Sequence, residues 1–137
     1  MSERFRVVVG AGTLLSDDPA AVRFPDRWTA GGVSVLSAFS GAHLLHLAAA
    51  GCVLNDLYRE AAGLAVDLDG VRVTAQGGFD THTWASTGIE YRVELDSGAS
   101  ATDLERLLAV VDEVAEIPRA IRAGAPVRRR ADREPAR

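Results

Sequence analysis

The most reactive side chain this sequence offers is its single cysteine, Cys52, set in the most apolar stretch of the chain, "LLHLAAAGCVLND" (Leu44 to Asp56). A cysteine attacks as the thiolate, so its ordinary pKa of about 8.5 must fall for it to act near neutrality. Apolar surroundings push the other way, because they disfavour the charged form. On a helix turning about 100° per residue, Asn55, Asp56 and Arg59 share the face of Cys52. Asp56 hinders ionisation there and Arg59 offsets it. Two readings stay open. Either an arginine prepares the thiol, or Asp56 and Arg59 pair as the helix emerges into solvent and Cys52 packs as a small hydrophobe.

The three histidines offer less. His43 and His46 are three residues apart and can share a helix face, the spacing of a two-ligand metal pair. Cys52 follows His43 by nine residues, about 180° around a straight helix, so the three cannot converge. With no carboxylate on the adjoining turn, both are expected as partly buried histidines, and neither a metal site nor a cofactor is expected. His82, in "FDTHTWAS" with Trp84, belongs to a polar loop that is able to line a pocket.

Positioning these residues falls to a chain of 137 residues, 47% hydrophobic and 25% charged, the size and composition of one globular domain. One cysteine excludes an intrachain disulfide and any cysteine-cluster metal site. With no signal-peptide pattern over Met1–Gly10, a cytoplasmic, reducing setting is expected. The longest apolar run, Leu47 to Leu54, falls far short of the roughly 20 residues that span a bilayer, so no membrane is expected. All 15 basic residues are arginine. Residues 128–137 hold five of them against one Asp and one Glu. That local charge of +3, within a total of −4, leaves −7 on residues 1–127. An acidic body argues against a nucleic-acid partner. Residues 1–127 are therefore expected to form the domain, and 128–137 a disordered, Arg-rich tail.

Phe5 to Val9 reads as a strand broken by Gly10–Ala11–Gly12. A dinucleotide-binding turn is rejected, because the third glycine position holds Leu15 and Asp17–Asp18–Pro19 signals a turn. Ala21 to Phe24 and Val33 to Leu36 complete an antiparallel meander. Ser40 can cap a helix to about Ala62, with Gly63 as a left-handed stop. Apolar on every side from Leu44 to Leu54, that helix is expected to be buried all round, with a second subunit helping to cover it. Val66 to Ala75 alternates with a slip at Asp69–Gly70, from either a hairpin turn or a bulge. Ile89 to Leu95 alternates cleanly, with Ile89, Tyr91, Val93 and Leu95 inward. Ser100 and Asp103 form a capping box for a helix with an apolar stripe of Leu104, Leu107, Leu108, Val111 and Val114. Pro118 is expected to end it and open another turn, Gly124 to close that turn, and Ala125 to Arg128 to form a last short strand. Strands, buried helix, strands and amphipathic helix, without βαβ alternation, make an α+β domain.

The segments "GAHLLHLAAAGCVLNDLYREAAGL" and "DLERLLAVVDEVAEIPRAIRAGAPV" give this chain a resemblance to the OsmC/Ohr family, the osmotically induced protein C and organic hydroperoxide resistance proteins. In element order the likeness covers roughly residues 4–127. It implies an OsmC-like fold, an intertwined homodimer in which antiparallel strands wrap a buried central helix. It also implies reduction of organic hydroperoxides by a helix cysteine, a second cysteine that resolves the sulfenic acid, and a thiolate prepared by an arginine and a glutamate. Carried over position by position, Cys52 stands at the attacking cysteine, and Ile117 where the second cysteine would be. Gly41–Ala42 stand where a Pro-Glu would supply the carboxylate. The arginine is Arg23 or Arg27, with Arg27 preferred. The expectation that follows is a one-cysteine thiol peroxidase of the oxidative stress response, acting through Cys52 and Arg27 with an external thiol reductant. The alternative is a non-catalytic dimer holding a small hydrophobic ligand in a cleft near Cys52, His82 and Trp84.

Overall fold

The computed structural model describes residues 4–130. Five strands form one antiparallel sheet in the order β2-β3-β1-β4-β5: β1 (Val7–Gly12), β2 (Val22–Phe24), β3 (Val33–Leu36), β4 (Gly70–Phe79) and β5 (Ser86–Asp96). The helices are α1 (Gly41–Gly63), α2 (Ala101–Val114) and α3 (Glu116–Ala123). Register explains why β-branched residues fill the inner face. Val35, Val9, Val73 and Val93 form one row across four strands, and Ala11, Val71 and Leu95 form the next. With a side-chain period of two, these rows put every inward residue on the side that α1 covers.

Ser40 caps α1, its Oγ accepting the His43 backbone N–H at 3.1 Å; Ser100 does the same for α2 with the Asp103 N–H. One side of α1 is sealed against the sheet: Ala50, Val53, Leu54, Leu57 and Ala61 join Val7, Val9, Val71, Val73 and Ala75 in one core. From α2, only Leu107 and Val111 of the expected stripe are fully buried. The Tyr91 hydroxyl on β5 donates to Asp112 of α2 at 2.5 Å, and Asp112 lies 3.6 Å from Arg122 of α3. That chain of contacts ties the last two helices to the sheet.

Several expectations change. Burial of α1 on all sides is not seen within one chain: Leu44, Ala48 and Asn55, with half-buried Gly51, form an open stripe, because one sheet and two short helices cannot surround a cylinder. Gly63 is the last residue of α1 and has no positive φ; Ala65, at φ 55°, makes the left-handed turn instead. Val66 to Asp69 is neither strand nor hairpin but an irregular lead-in, held by the Thr13 N–H donating to Asp69 O at 2.8 Å. Pro118 is the third residue of α3 rather than its first. No strand forms over 125–130, where Pro126 lacks the N–H that a ladder needs, and the segment stays irregular. The rest of the expected tail, 131–137, lies outside the described residues. Among the described residues no helix is long and apolar enough to cross a membrane.

His43 and His46 both pack against the Phe5 ring. Phe5 stacks on His46 at 6.1 Å and meets His43 edge-on at 5.2 Å. His46 Nδ1–H donates to Ala42 O at 2.6 Å, leaving Nε2 buried against Gly77 of β4. A Cβ at Gly77 would meet the Gly88 carbonyl oxygen and lie 2.5 Å from His46 Nε2. Since the carbonyl belongs to the paired strand and cannot yield, Gly77→Ala is expected to cost about 1–3 kcal/mol, the usual range for overpacking. Chemical denaturation of the two proteins measures it; equal midpoints would contradict this packing.

Candidate functional site

Packing against the sheet turns the next face of α1 toward α3, and Cys52 and Asp56 lie on it, four residues apart. Both are buried, with 9% and 3% exposure. The chain reaches them a second time 64 residues later, where Ala115 ends α2 in an extended conformation and α3 begins. The first residue of α3, Glu116, puts Oε1 3.5 Å from Cys52 Sγ. Asp56 Oδ2 is 3.8 Å from the same sulfur. The Ile117 backbone N–H, one of the unpaired donors of a helix start, also bonds to it.

The outer oxygens of both carboxylates face one guanidinium. Arg59 Nη1 is 3.1 Å from Asp56 Oδ1 and 3.7 Å from Glu116 Oε2, while its Nε holds Glu60 at 3.1 Å. Each carboxylate therefore turns one oxygen to the arginine and the other to the thiol. One side-chain atom from each of Cys52, Asp56 and Glu116 lies within 4.8 Å of the other two.

Electrostatics favour the protonated thiol. Burial pushes Cys52 up to about 11, opposed by the Ile117 N–H and reinforced by the charges of Asp56 and Glu116. Asp56 is raised as well, by burial first, with Arg59 pulling it back and Glu116 adding to the rise. One thiol hydrogen thus has two carboxylate oxygens to choose between.

Asp56 and Arg59 are where helical geometry places them, on the face of Cys52, and they do pair. Ile117 stands beside Cys52, and contributes its backbone rather than a side chain. Ala42 sits in the first turn of α1, its carbonyl taken by His46. The carboxylates at the thiol come from Asp56 and Glu116 instead. Glu116 was not singled out in the sequence; its signal was adjacency to Ile117. Arg27 lies between β2 and β3 with its guanidinium 5.1 Å above the Trp28 ring, and Arg23 Nη1 donates to Gly31 O at 3.0 Å. Among the described residues, the guanidinium beside the carboxylates of the thiol is that of Arg59. His82 lines an open cavity of about 520 Å³ with Arg4, Phe79 and Glu90, and neither Cys52 nor Trp84 is on its wall. A smaller cavity of about 240 Å³, lined by Val9, Phe24, Val35, Leu47 and Leu54, separates α1 from the meander.

Fold and site together define an antiparallel α+β domain with one thiol set among carboxylates where two helices meet. The chain belongs to the OsmC-like protein family, whose model matches residues 34–129. In fold it is similar to an OsmC-like protein from Mycoplasma pneumoniae, at TM-score 0.58 and 12% identity over 78% of this chain and 89% of that one. It is also similar to an OsmC-like hydroperoxide resistance protein from Jannaschia sp. CCS1, at TM-score 0.52 and 15% identity over 94% and 95% of the two chains. No curated protein sequence matches it.

With the thiol pushed up to about 11, alkylation of Cys52 in chelator-treated protein is expected to be slow at pH 7 and to climb steadily toward pH 11. Glu116→Gln removes a negative charge from beside the sulfur and is expected to speed alkylation at pH 8 severalfold. A rate already at its plateau below pH 8 in the native protein would contradict this arrangement.

Proposed function

We propose that the protein is a one-cysteine, thiol-dependent hydroperoxide reductase of the oxidative stress response, working through Cys52. The observation that carries this reading is the position of Sγ, 3.5 Å from a carboxylate whose other oxygen faces Arg59. Family membership and the hydroperoxide resistance neighbour support the choice of substrate class. As an organic hydroperoxide approaches, Glu116 takes the thiol proton and Sγ attacks the terminal oxygen. The O–O bond breaks, and the departing alkoxide takes the proton back from Glu116 to leave as the alcohol. Cys52 is then a sulfenic acid. Ile117 cannot resolve it, so an external thiol condenses with it to a mixed disulfide and water, and a second thiol restores Cys52. A thiol that stays protonated at rest resists adventitious oxidation, and a positioned proton acceptor lets it react when substrate arrives.

The expected result is steady consumption of an organic hydroperoxide with dithiothreitol or a dihydrolipoyl donor, falling to background in Cys52→Ser. Glu116→Gln is expected to slow turnover roughly 10²-fold, the lower end of what a positioned acid–base group contributes. Its effects on turnover and on alkylation therefore run in opposite directions. Equal consumption by native protein and Cys52→Ser would remove the reading.

The same reading includes a homodimer, in which a second copy covers the stripe of Leu44, Ala48, Gly51 and Asn55 and supplies Arg27 or Arg23 to the neighbourhood of the thiol. Small residues along that stripe allow close approach of another backbone. Sedimentation equilibrium is expected to give twice the 14.5 kDa chain mass, and Ala48→Glu to shift it toward one chain. A native protein that sediments as a single chain at micromolar concentration would contradict the dimer.

A further inference from the structure

The sheet has two faces, and α1 covers only the inner one. On the outer face, Leu36, Val8, Thr74 and Arg92 form one row across β3, β1, β4 and β5. Strand alternation puts Arg72 on one side of that row and Arg6, which immediately precedes β1, on the other. An open cavity of about 390 Å³ lies over the row, with the three arginines and Glu94 around it and half-buried Val8, Leu36 and Thr74 beneath. We infer that this cavity binds one phosphate monoester, its phosphoryl group above Thr74 and its apolar body on Val8 and Leu36.

The first support is charge. Residues 1–127 sum to −7, yet three guanidiniums meet one carboxylate here, a local charge of +2. That carboxylate is already engaged, since Glu94 lies directly opposite Arg72 and holds its Nη1 at 2.7 Å. Arg6 and Arg92 have neither a hydrogen bond nor an ion pair among the described residues. Glu90, the next outward residue of β5, pairs with neither and is not on the cavity wall. Like charges gathered on one face of a sheet are destabilising. An anion would relieve what the protein's own carboxylates leave uncompensated.

The second support is direction. Neighbouring strands lie about 4.8 Å apart, so Arg6 and Arg92 reach toward Thr74 from opposite sides of β4, and Arg72 from along it. A carboxylate presents two oxygens in one direction and suits a single guanidinium fork. A phosphoryl dianion has three terminal oxygens, one for each guanidinium, and Thr74 offers a hydroxyl beneath them. Val8 and Leu36 form an aliphatic floor beside this charged group, which an apolar body covers and free phosphate leaves wet. The stripe of α1 assigned to a second copy lies on the other side of the sheet, as does Cys52. The site therefore goes beyond the peroxidase reading and does not rest on it.

Titration calorimetry of the full chain with phenyl phosphate at low ionic strength is expected to show one site per chain, with affinity falling as salt is added. Inorganic phosphate and benzoate are each expected to bind more weakly, the first for want of a body and the second for want of a third oxygen. Arg6→Gln and Arg92→Gln are each expected to lower phenyl phosphate affinity roughly tenfold or more, the worth of one hydrogen-bonded charge. Glu94→Gln, which frees Arg72, is expected to raise it. All three positions are exposed, so the variants are expected to keep the native circular dichroism. Absence of saturable binding at millimolar phenyl phosphate, or affinity unchanged in both arginine variants, would overturn the site. Inorganic phosphate binding as tightly as phenyl phosphate would overturn the role of Val8 and Leu36. No peroxide enters the measurement, so its failure leaves the peroxidase reading standing, and failure of that reading leaves this site.

Discussion

Everything in this molecule hangs on one side of α1 being pressed into the valine-lined face of the sheet. Full burial of a leucine or valine side chain is worth about 1.5–3 kcal/mol, and Val53, Leu54 and Leu57 are all buried there together. Rotating the helix would forfeit that contact, so its azimuth is fixed. With the azimuth fixed, Cys52 and Asp56 have no choice but to face α3. The geometry around the thiol is thus set by residues that do not touch it.

At the site itself, two demands compete. Burial and two neighbouring carboxylates keep the thiol protonated, yet an N–H of α3 and the Arg59 guanidinium are arranged to support a thiolate once the proton leaves. A thiol in this setting is held in reserve rather than permanently ionised.

Local physics was readable in the sequence and long-range closure was not. Ser40 and Ser100 announced both caps because an N-cap is decided by neighbours three residues away. Val33 to Leu36 was placed to the residue, and the alternation of Ile89 to Leu95 gave the correct face. Helical periodicity put Asp56 and Arg59 beside Cys52. Glu116 escaped because its contact with Cys52 is made across 64 residues, through a kink at Ala115 that no local pattern specifies. Gly63 misled for a different reason: a glycine permits a left-handed turn without requiring one, and Ala65 makes it instead. The family resemblance located the spatial neighbour of Cys52 at Ile117, and it directed attention to Ala42 for a carboxylate that the structure provides from elsewhere.

The central claim is that Cys52, unaided by a second cysteine, takes an oxygen atom from an organic hydroperoxide. It is tested most directly by adding one equivalent of hydroperoxide without reductant, trapping with a sulfenic-acid-specific dione, and mapping the adduct by mass spectrometry. The account predicts one adduct per chain, on Cys52, appearing as the hydroperoxide is converted to its alcohol. Unmodified Cys52 beside intact hydroperoxide, in folded protein, would contradict it.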